Sequence, residues 1–256
     1  MKFLPDVAKE DINGKNLHKA GIEDIDIYRS DFDDRSVLTQ QSAYLSLGPR
    51  KGLHMSRLVK ILRDLKDETI TIDNEMMDNL ASSHDVKYTY WECKWSSLFE
   101  TEELQDLTVD YKLEGRKVGN DIFWYISIGV PYASVCPCAA SMCDEVKEGV
   151  PHMQRAYVLV TGQITQHISL PDFAVAVVSK IISTVDLIPK PYMKRPDELE
   201  WCIRASKTKL FVEDAARNVA TALVPWFKNS VVTCKHFEVI HKHNVVAVHK
   251  QGKGLY

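Results

Sequence analysis

The sequence predicts an α+β fold in which a unit of two strands, two helices and two strands occurs twice. The 256 residues suffice for one large domain or two small ones. Apolar residues make up 45% and charged residues 26%, the balance of a globular protein. Segments that alternate with period two are separated by segments with helical spacing, and both halves show this order. A single α+β domain without a repeat is the alternative that the same pattern allows.

The first half begins with a polar segment and continues with alternating strand and helix patterns. Residues 1–35 are polar and show no clear period. We expect them to form an N-terminal arm over the surface or onto a partner subunit, and a partly ordered tail is the other interpretation. Residues 114–120 carry turn residues between two strands. The predicted elements are a strand over 37–47, helices over 54–64 and 74–83, and strands over 87–94, 107–113 and 122–130.

The second half repeats this order. Pro171 stands in the first turn of a predicted helix. Proline is suited to that position, because an N–H group there would have no partner within the helix. The predicted elements are a strand over 155–164, helices over 171–183 and 210–223, and strands over 231–240 and 244–249. We therefore expect one catalytic region over 36–256, with approximate halves 36–133 and 153–256 joined by a site loop over 134–152.

Charge and composition exclude several classes of protein. The formal net charge is −3, with 32 basic and 35 acidic residues, so a general nucleic-acid or membrane-surface role is disfavoured. The uncharged run 122–143 contains Gly129, Pro131 and Pro137, unlike a membrane-spanning helix. The first residues carry no apolar signal core, so we expect a cytoplasmic protein whose six Cys serve in packing, metal binding or catalysis.

A Cys-Pro-Cys turn after a buried strand is the first candidate for chemistry. It is formed by Cys136, Pro137 and Cys138, and His152 follows. Thiolate and imidazole suit Zn²⁺ or another borderline metal. Two alternatives stay open: both Cys are small buried residues, or one Cys is a nucleophile paired with His152.

Three further clusters carry charged or imidazole groups. Glu198 lies in a charged loop and Glu213 at a predicted helix start, where solvated acidic residues are common. Glu213 also stands next to Phe211 and Val212, which suggests a position close to the buried face. If residues 237–243 are extended as in a strand, His241 and His243 share one face and Glu238 lies on the other. A strand-to-helix junction at Lys51–Arg57 offers backbone N–H groups and basic side chains to an anion.

Together these clusters resemble the type IB GTP cyclohydrolases, enzymes that open pterin biosynthesis. Each motif alone is modest, but the ordered set spans nearly the whole chain. The motifs are Leu4-Pro5-Asp6-Val7, Ala20-Gly21-Ile22, Gly52-Leu53-His54-Met55-Ser56-Arg57, Cys136-Pro137-Cys138, His152 with Gln154-Arg155, Arg195-Pro196-Asp197-Glu198, Phe211-Val212-Glu213-Asp214 and Glu238-Val239-Ile240-His241-Lys242-His243.

The resemblance implies a tunnelling fold and a metal-dependent reaction. Tandem ββααββ units would form multi-subunit β-barrels with the helices outside, in a homo-oligomer that we expect to be a tetramer because closure removes open sheet edges. The implied reaction converts GTP and water to 7,8-dihydroneopterin triphosphate and formate, at the start of a folate, pterin or 7-deazaguanine pathway. No nucleic acid and no membrane is expected as a partner.

The resemblance also assigns residues to roles. The implied ligands of a divalent metal (Zn²⁺, Mn²⁺ or Fe²⁺) are Cys136, His152 and Glu198. Glu213 anchors the guanine, His241 is the candidate general acid/base, and His243 assists or binds phosphate. The remaining candidates for substrate binding are His54, Ser56, Arg57, Gln154, Arg155 and Glu238.

The sequence departs from the family around the Cys-Pro-Cys turn. Ala139-Ala140 replaces the usual Ser-Lys, Met153 replaces the usual Asn, and the stretch from Cys136 to His152 is longer than usual. We therefore expect the reaction to be kept while the contacts of this loop with the substrate differ, and another purine nucleotide or a cyclic phosphate product stays open as an alternative.

Two other functions are compatible with the same fold. A nitrile oxidoreductase of the queuosine pathway would use Cys136 as a covalent nucleophile with a nicotinamide cofactor and no metal. A purine- or pterin-binding relative that has lost catalysis is the non-enzyme alternative, motivated by Ala139, Ala140 and Met153. Metal content and formate release from GTP discriminate among the three.

Overall fold

A computed structural model describes residues 16–100, 106–165 and 167–252. Within them the chain forms eight strands and six helices. In chain order these are β1 (Leu17–Ser30), β2 (Ser36–Leu47), α1 (Met55–Arg63), α2 (Asn74–Ser82), β3 (Tyr88–Phe99), β4 (Leu107–Val118), β5 (Asp121–Val135), α3 (Pro137–Val146), β6 (Met153–Ile164), α4 (Leu170–Val185), α5 (Arg195–Lys207), α6 (Val212–Ala222), β7 (Ser230–Phe237) and β8 (Val245–Gln251).

The strands are hydrogen-bonded in chain order from β1 to β8. Pairing is antiparallel for β1–β2, β2–β3, β6–β7 and β7–β8. An α+β fold is thus confirmed. No helix in the described part of the chain is long and apolar enough to cross a membrane.

The chain divides into two compact units. One contains the described residues of Met1–Trp95, Lys112–Ile126 and Ile164–Leu170, and the other those of Ser96–Tyr111, Ser127–Gln163 and Pro171–Tyr256. Our expected halves, 36–133 and 153–256, differ from this division. The reason is the length of β4 and β5, at 12 and 15 residues, since each strand contributes to both units.

The first unit packs two amphipathic helices on one face of its strands. Leu58 and Leu62 of α1 are fully buried, as are Met77 of α2 and Trp91 of β3. Gly115 allows close approach, because a Cβ there would lie 2.7 Å from Met77 Sδ. The core of this unit is therefore the layer between α1, α2 and the strands.

The second unit buries α4 and α6 in the same way. Its fully buried side chains include Val178 of α4, Val219 of α6 and Val232 of β7. At Gly162 a Cβ would lie 2.0 Å from a ring atom of Phe227, so β6 contacts that ring directly. This packing holds α6 against β7 and β8.

The helices predicted over 54–64, 74–83, 171–183 and 210–223 correspond to α1, α2, α4 and α6. In three segments the secondary structure differs from the expectation. The expected N-terminal arm contains β1, while its residues 1–15 lie outside the described residues. The expected site loop contains α3, because Pro137 and the cap at Cys136 begin a helix there. Residues 114–118 extend β4, and only Gly119 and Asn120 form the turn.

Candidate functional site

Cys136 caps the helix that follows β5. Its Sγ accepts a hydrogen bond from the Ala139 backbone N–H at 3.5 Å, and Pro137 occupies the first turn of α3. The side chain is half-buried, whereas Cys138 is exposed. The Cys136 sulfur therefore lies at the N-terminus of α3, where it faces backbone N–H groups of the first turn.

His152 lies directly beside Cys136. The Cys136 backbone N–H donates to the His152 carbonyl oxygen at 3.2 Å, which joins the two ends of the α3 segment. The Nδ1 atom of His152 is buried and has no hydrogen-bond partner among the described residues. The structure thus brings together two of the predicted site residues and leaves one buried polar atom available to a ligand.

Gln154 follows His152 by two residues and is the second residue of β6. Its side chain is 4% exposed, and its Oε1 has no partner in the part of the chain that the structure describes. Successive residues of a strand face opposite sides of the sheet, and Gln154 lies on the buried side of β6. Arg155 points to the other side and is exposed.

The first turn of α6 is tied to the end of β5. Ser134 Oγ donates to the Leu210 carbonyl oxygen at 2.7 Å, and Val135 and Lys209 form a bridge between parallel segments. These contacts place Glu213 of α6 in the same region as Cys136. The Glu213 side chain is exposed, although the sequence had suggested a position close to the buried face.

The sequence analysis missed a buried imidazole at this end of the second unit. His236 is 2% exposed, with Nε2 2.8 Å from Tyr132 Oη and Nδ1 3.4 Å from Gln154 Nε2. Burial lowers the pKa of His236 to about 4, while nearby Glu213 acts in the opposite direction. The buried position Cys234 precedes it by two residues on β7, and this alternation would have placed His236 on the core face.

Glu198 stands apart from the other two predicted metal ligands. It lies exposed in the first turn of α5, a helix that begins with Arg195 and Pro196. Helical spacing puts it on the same face as Trp201, which packs against a buried cluster that includes Val135.

The donor set fits a metal only in part. Cys136 and His152 are adjacent and offer sulfur and nitrogen ligands, which suit Zn²⁺, Mn²⁺ or Fe²⁺ to differing degrees. Across the described residues, however, no three His, Cys, Asp or Glu side chains are grouped closely enough to hold a metal ion. Glu198 as the third ligand therefore stays a prediction.

The segment between β7 and β8 holds the remaining predicted acid/base groups. β7 ends at Phe237, so Glu238, His241 and His243 lie in a connection and not in the predicted strand. The rings of His241 and His243 are exposed and stack, with centroids 5.1 Å apart and an interplanar angle of 11°. Both imidazoles are thus accessible to a ligand in solution.

A basic cluster precedes and opens α1 in the first unit. Arg50 donates to the His84 carbonyl oxygen at 2.9 Å, and Arg57 donates to the Ser83 carbonyl oxygen at 3.0 Å. The His54 backbone N–H donates to His84 Nε2 at 2.9 Å. Burial, followed by the charges of Arg57, His54 and Arg50, lowers the pKa of His84. Ser56 is exposed at the same helix start.

Sequence comparison identifies relatives across almost the entire chain. The family model described as type I GTP cyclohydrolase FolE2 matches residues 4–247. A protein of Thermotoga neapolitana named GTP cyclohydrolase FolE2 is 29% identical over 265 residues, covering 97% of this chain and 98% of its own length. The protein of that name from Halorhodospira halophila is 29% identical, with coverages of 95% and 98%.

Structure comparison identifies a shared fold. The crystal structure of uricase from Arthrobacter globiformis superposes with a TM-score of 0.53 at 8% identity, covering 97% of each chain. The crystal structure of a hyper-thermostable uricase mutant gives a TM-score of 0.50 at 7% identity, covering 96% of this chain and 94% of its own. At such low identity the likeness concerns the fold alone, and it supports the expected tunnelling-type arrangement of strands and helices.

Proposed function

This chain belongs to the type I GTP cyclohydrolase FolE2 family, and from that premise we propose that it hydrolyses GTP to 7,8-dihydroneopterin triphosphate and formate, as a member of the type IB branch. The observation that supports the proposal most is the grouping at one end of the second unit. Cys136, His152, Gln154 and Glu213 are held there by contacts of β5, β6 and α6. The product would start a folate, pterin or 7-deazaguanine pathway.

Glu213 is proposed to bind the guanine base. Its carboxylate offers two acceptors to the two donors at N1 and the 2-amino group, and adenine lacks that pair of donors. Val212 in the first turn of α6 is buried, whereas the next residue, Glu213, is exposed. The Glu213 carboxylate is therefore accessible to a nucleotide.

The ring-opening chemistry requires water at guanine C8 and proton transfers at N7, N9 and the ribose oxygens. Imidazole suits such transfers near neutral pH. We assign the general acid/base role to His241, with the stacked His243 assisting or binding phosphate. Their position in an exposed connection leaves both rings accessible to the nucleotide.

A divalent metal is part of the proposal. Cys136, His152 and Glu198 would hold it, and when bound it supplies Lewis acidity and an activated water. Cys136 contributes a sulfur at a helix N-terminus, and His152 contributes an imidazole whose buried Nδ1 lacks a partner among the described residues. Cys138, exposed two residues later, is left outside the ligand set.

The triphosphate is proposed to bind basic side chains, despite the net charge of −3. Arg50 and Arg57 each use one N–H group on a backbone carbonyl, which leaves further guanidinium donors for phosphate. His54 and Ser56 extend the same cluster at the start of α1. Arg155 and Glu238 are the other proposed substrate contacts.

The decisive experiment measures metal content, formate release and pterin fluorescence for three variants beside the unaltered protein. Cys136→Ala should lose metal and turnover but stay folded, whereas Cys138→Ala should keep both. Glu213→Gln should keep its metal but weaken GTP binding by about 2–5 kcal/mol, because an amide donor would face two donors of the base. Full metal and turnover in Cys136→Ala would refute the ligand assignment, and near-normal GTP affinity in Glu213→Gln would refute the anchor.

Assembly and location complete the proposal. β1 and β8 end the strand order, and pairing of such edges between subunits would produce a homo-oligomer, which we propose to be a tetramer. All six Cys are unpaired thiols, so a reducing compartment such as the cytoplasm suits them. A monomer in solution scattering that is fully active at the same concentration would contradict the assembly.

A further inference from the structure

A buried row of polar side chains lies near Glu213, the proposed guanine anchor. It runs from Cys234 through Tyr132 and His236 to Gln154, all in the second unit and all buried. Tyr132 Oη and His236 Nε2 are 2.8 Å apart, and His236 Nδ1 and Gln154 Nε2 are 3.4 Å apart. Tyr132 also hydrogen-bonds to the Cys234 thiol.

The chemistry of these side chains determines which group donates and which accepts in each hydrogen bond of this row. A phenol is a strong donor and a thiol a weak one, so Tyr132 donates to Cys234. Tyr132 Oη then accepts from His236 Nε2–H, and the other ring nitrogen, Nδ1, is left as an acceptor. A neutral ring is required for this, and burial, which lowers the pKa of His236 to about 4, keeps the ring neutral near pH 7.

The acceptor at Nδ1 determines which way the Gln154 amide faces. Its NH₂ group must point to His236, so its Oε1 points away. That oxygen is the atom without a partner among the described residues, in a side chain only 4% exposed. A buried acceptor left unsatisfied is costly, and buried polar atoms without partners are uncommon in native proteins.

The surroundings indicate what this oxygen binds. Glu213, the proposed guanine anchor, is close enough to His236 for its charge to raise the pKa of that ring, and Gln154 contacts the same ring, so Glu213 and Gln154 both lie near His236. The carboxylate of Glu213 satisfies N1–H and one hydrogen of the 2-amino group. The second amino hydrogen is then the remaining donor on that edge of the base.

We infer that Cys234, Tyr132 and His236 act as a positioning chain that fixes the Gln154 amide, so that Gln154 Oε1 accepts a hydrogen bond from the 2-amino group of the bound guanine. The inference rests on the proposed function and adds a residue, His236, that contacts no substrate itself. It makes Gln154 a determinant of selectivity for guanine over hypoxanthine, which has no 2-amino group.

The test compares GTP with inosine triphosphate (ITP), its analogue without the 2-amino group. The measured quantities are the KM for GTP and the inhibition constant of ITP against it, whose ratio reports recognition of that group. Gln154→Met keeps the volume of the side chain but removes the acceptor. The preference for GTP over ITP should fall by about 2- to 13-fold, the effect of one neutral hydrogen bond.

His236 variants separate positioning from general packing. His236→Leu should lower the GTP/ITP preference as Gln154→Met does, and the double variant should be no worse than Gln154→Met alone, because both act through one contact. His236→Asn offers a carbonyl acceptor to the Gln154 amide and should recover part of the preference. Val232→Ala, a cavity variant at a fully buried position on the same strand, should leave the preference unchanged.

Distinct results overturn distinct statements. An unchanged GTP/ITP preference in Gln154→Met and His236→Leu overturns the inference, including the case where the amide is reversed and binds O6, which both nucleotides carry. An equal fall of the preference in Val232→Ala also overturns it. If His236→Leu does not fold, Tyr132→Phe removes only one hydroxyl from the chain and should shift the preference in the same direction. Failure of the unaltered protein to bind or convert GTP would instead refute the proposed function.

Discussion

His236 should make the free energy of unfolding depend on pH below neutrality. The ring is 2% exposed between Tyr132 and Gln154, and burial lowers its pKa to about 4. In the unfolded chain a His titrates near ~6.5. As the pH falls through this window the unfolded chain takes up a proton that the native ring resists, so acid favours unfolding. Linkage between these two pKa values gives a loss of about 2 kcal/mol from pH 7.5 to pH 5, and about 3 kcal/mol by pH 4.

The assay is urea unfolding at pH 7.5 and pH 5 for three proteins. Other groups titrate in the same range, including His84, whose pKa burial also lowers. The informative quantity is therefore the difference between the unaltered protein and His236→Asn, which has no proton to gain. We expect His236→Asn to lose about 2 kcal/mol less stability between the two pH values. His167→Asn, an exposed position before α4, controls for the loss of one imidazole and should behave as the unaltered protein does.

One result would refute this account. If His236→Asn and the unaltered protein lose the same free energy between pH 7.5 and pH 5, the native ring takes up its proton as readily as the unfolded one. Burial would then not hold the ring neutral, and below pH ~6.5 the chain from Tyr132 to Gln154 would lose its acceptor, because a protonated ring has none at Nδ1.

Two further changes test the packing of the second unit and the basic cluster of the first. Gly162→Ala should destabilise the protein by about 1–3 kcal/mol in urea unfolding, because the new Cβ would lie 2.0 Å from a ring atom of the buried Phe227. Gly48→Ala, with no atom within 4 Å of its added Cβ, is the control, and equal stabilities would contradict the steric explanation. Arg57→Ala should raise the KM for GTP roughly tenfold through the loss of a charge-assisted phosphate contact, whereas Arg63→Ala at the other end of α1 should not. An unchanged KM in Arg57→Ala would remove that residue from the site.

The elements that the sequence revealed are those with a regular apolar period. α1 buries Leu58 and Leu62, and α6 buries Val212, Ala215 and Val219, so helical spacing identifies both. β1 was missed because its pairing with β2 shifts register twice, and Asp24 has a φ of +54° within it. Each irregularity changes which side chains face the core, and the alternation disappears from the sequence.

The two unpredicted helices lack such a period for a different reason. α3 buries only Ala140, and α5 buries only Ala205 with help from the half-buried Trp201. A helix that buries only one or two side chains needs no continuous apolar face, so its sequence shows no helical period. Its position is set by tertiary contacts, such as the Trp201 Nε1–H bond to the Ile188 carbonyl oxygen at 3.1 Å. No local sequence pattern reports contacts of this kind.

The same physical distinction separates the two kinds of residue at the candidate site. Glu198, Glu213, His241 and Arg57 are exposed, so packing places no constraint on their type, and only resemblance to a family could single them out. His236 is buried at a position where β7 alternates with apolar neighbours, so its polarity is itself the signal. A polar residue on an apolar face must find partners within the protein or a ligand, because leaving it unpaired is costly. Pattern reasoning therefore finds the groups that support a site more readily than the groups that touch the substrate, and a complete account of such a site needs both.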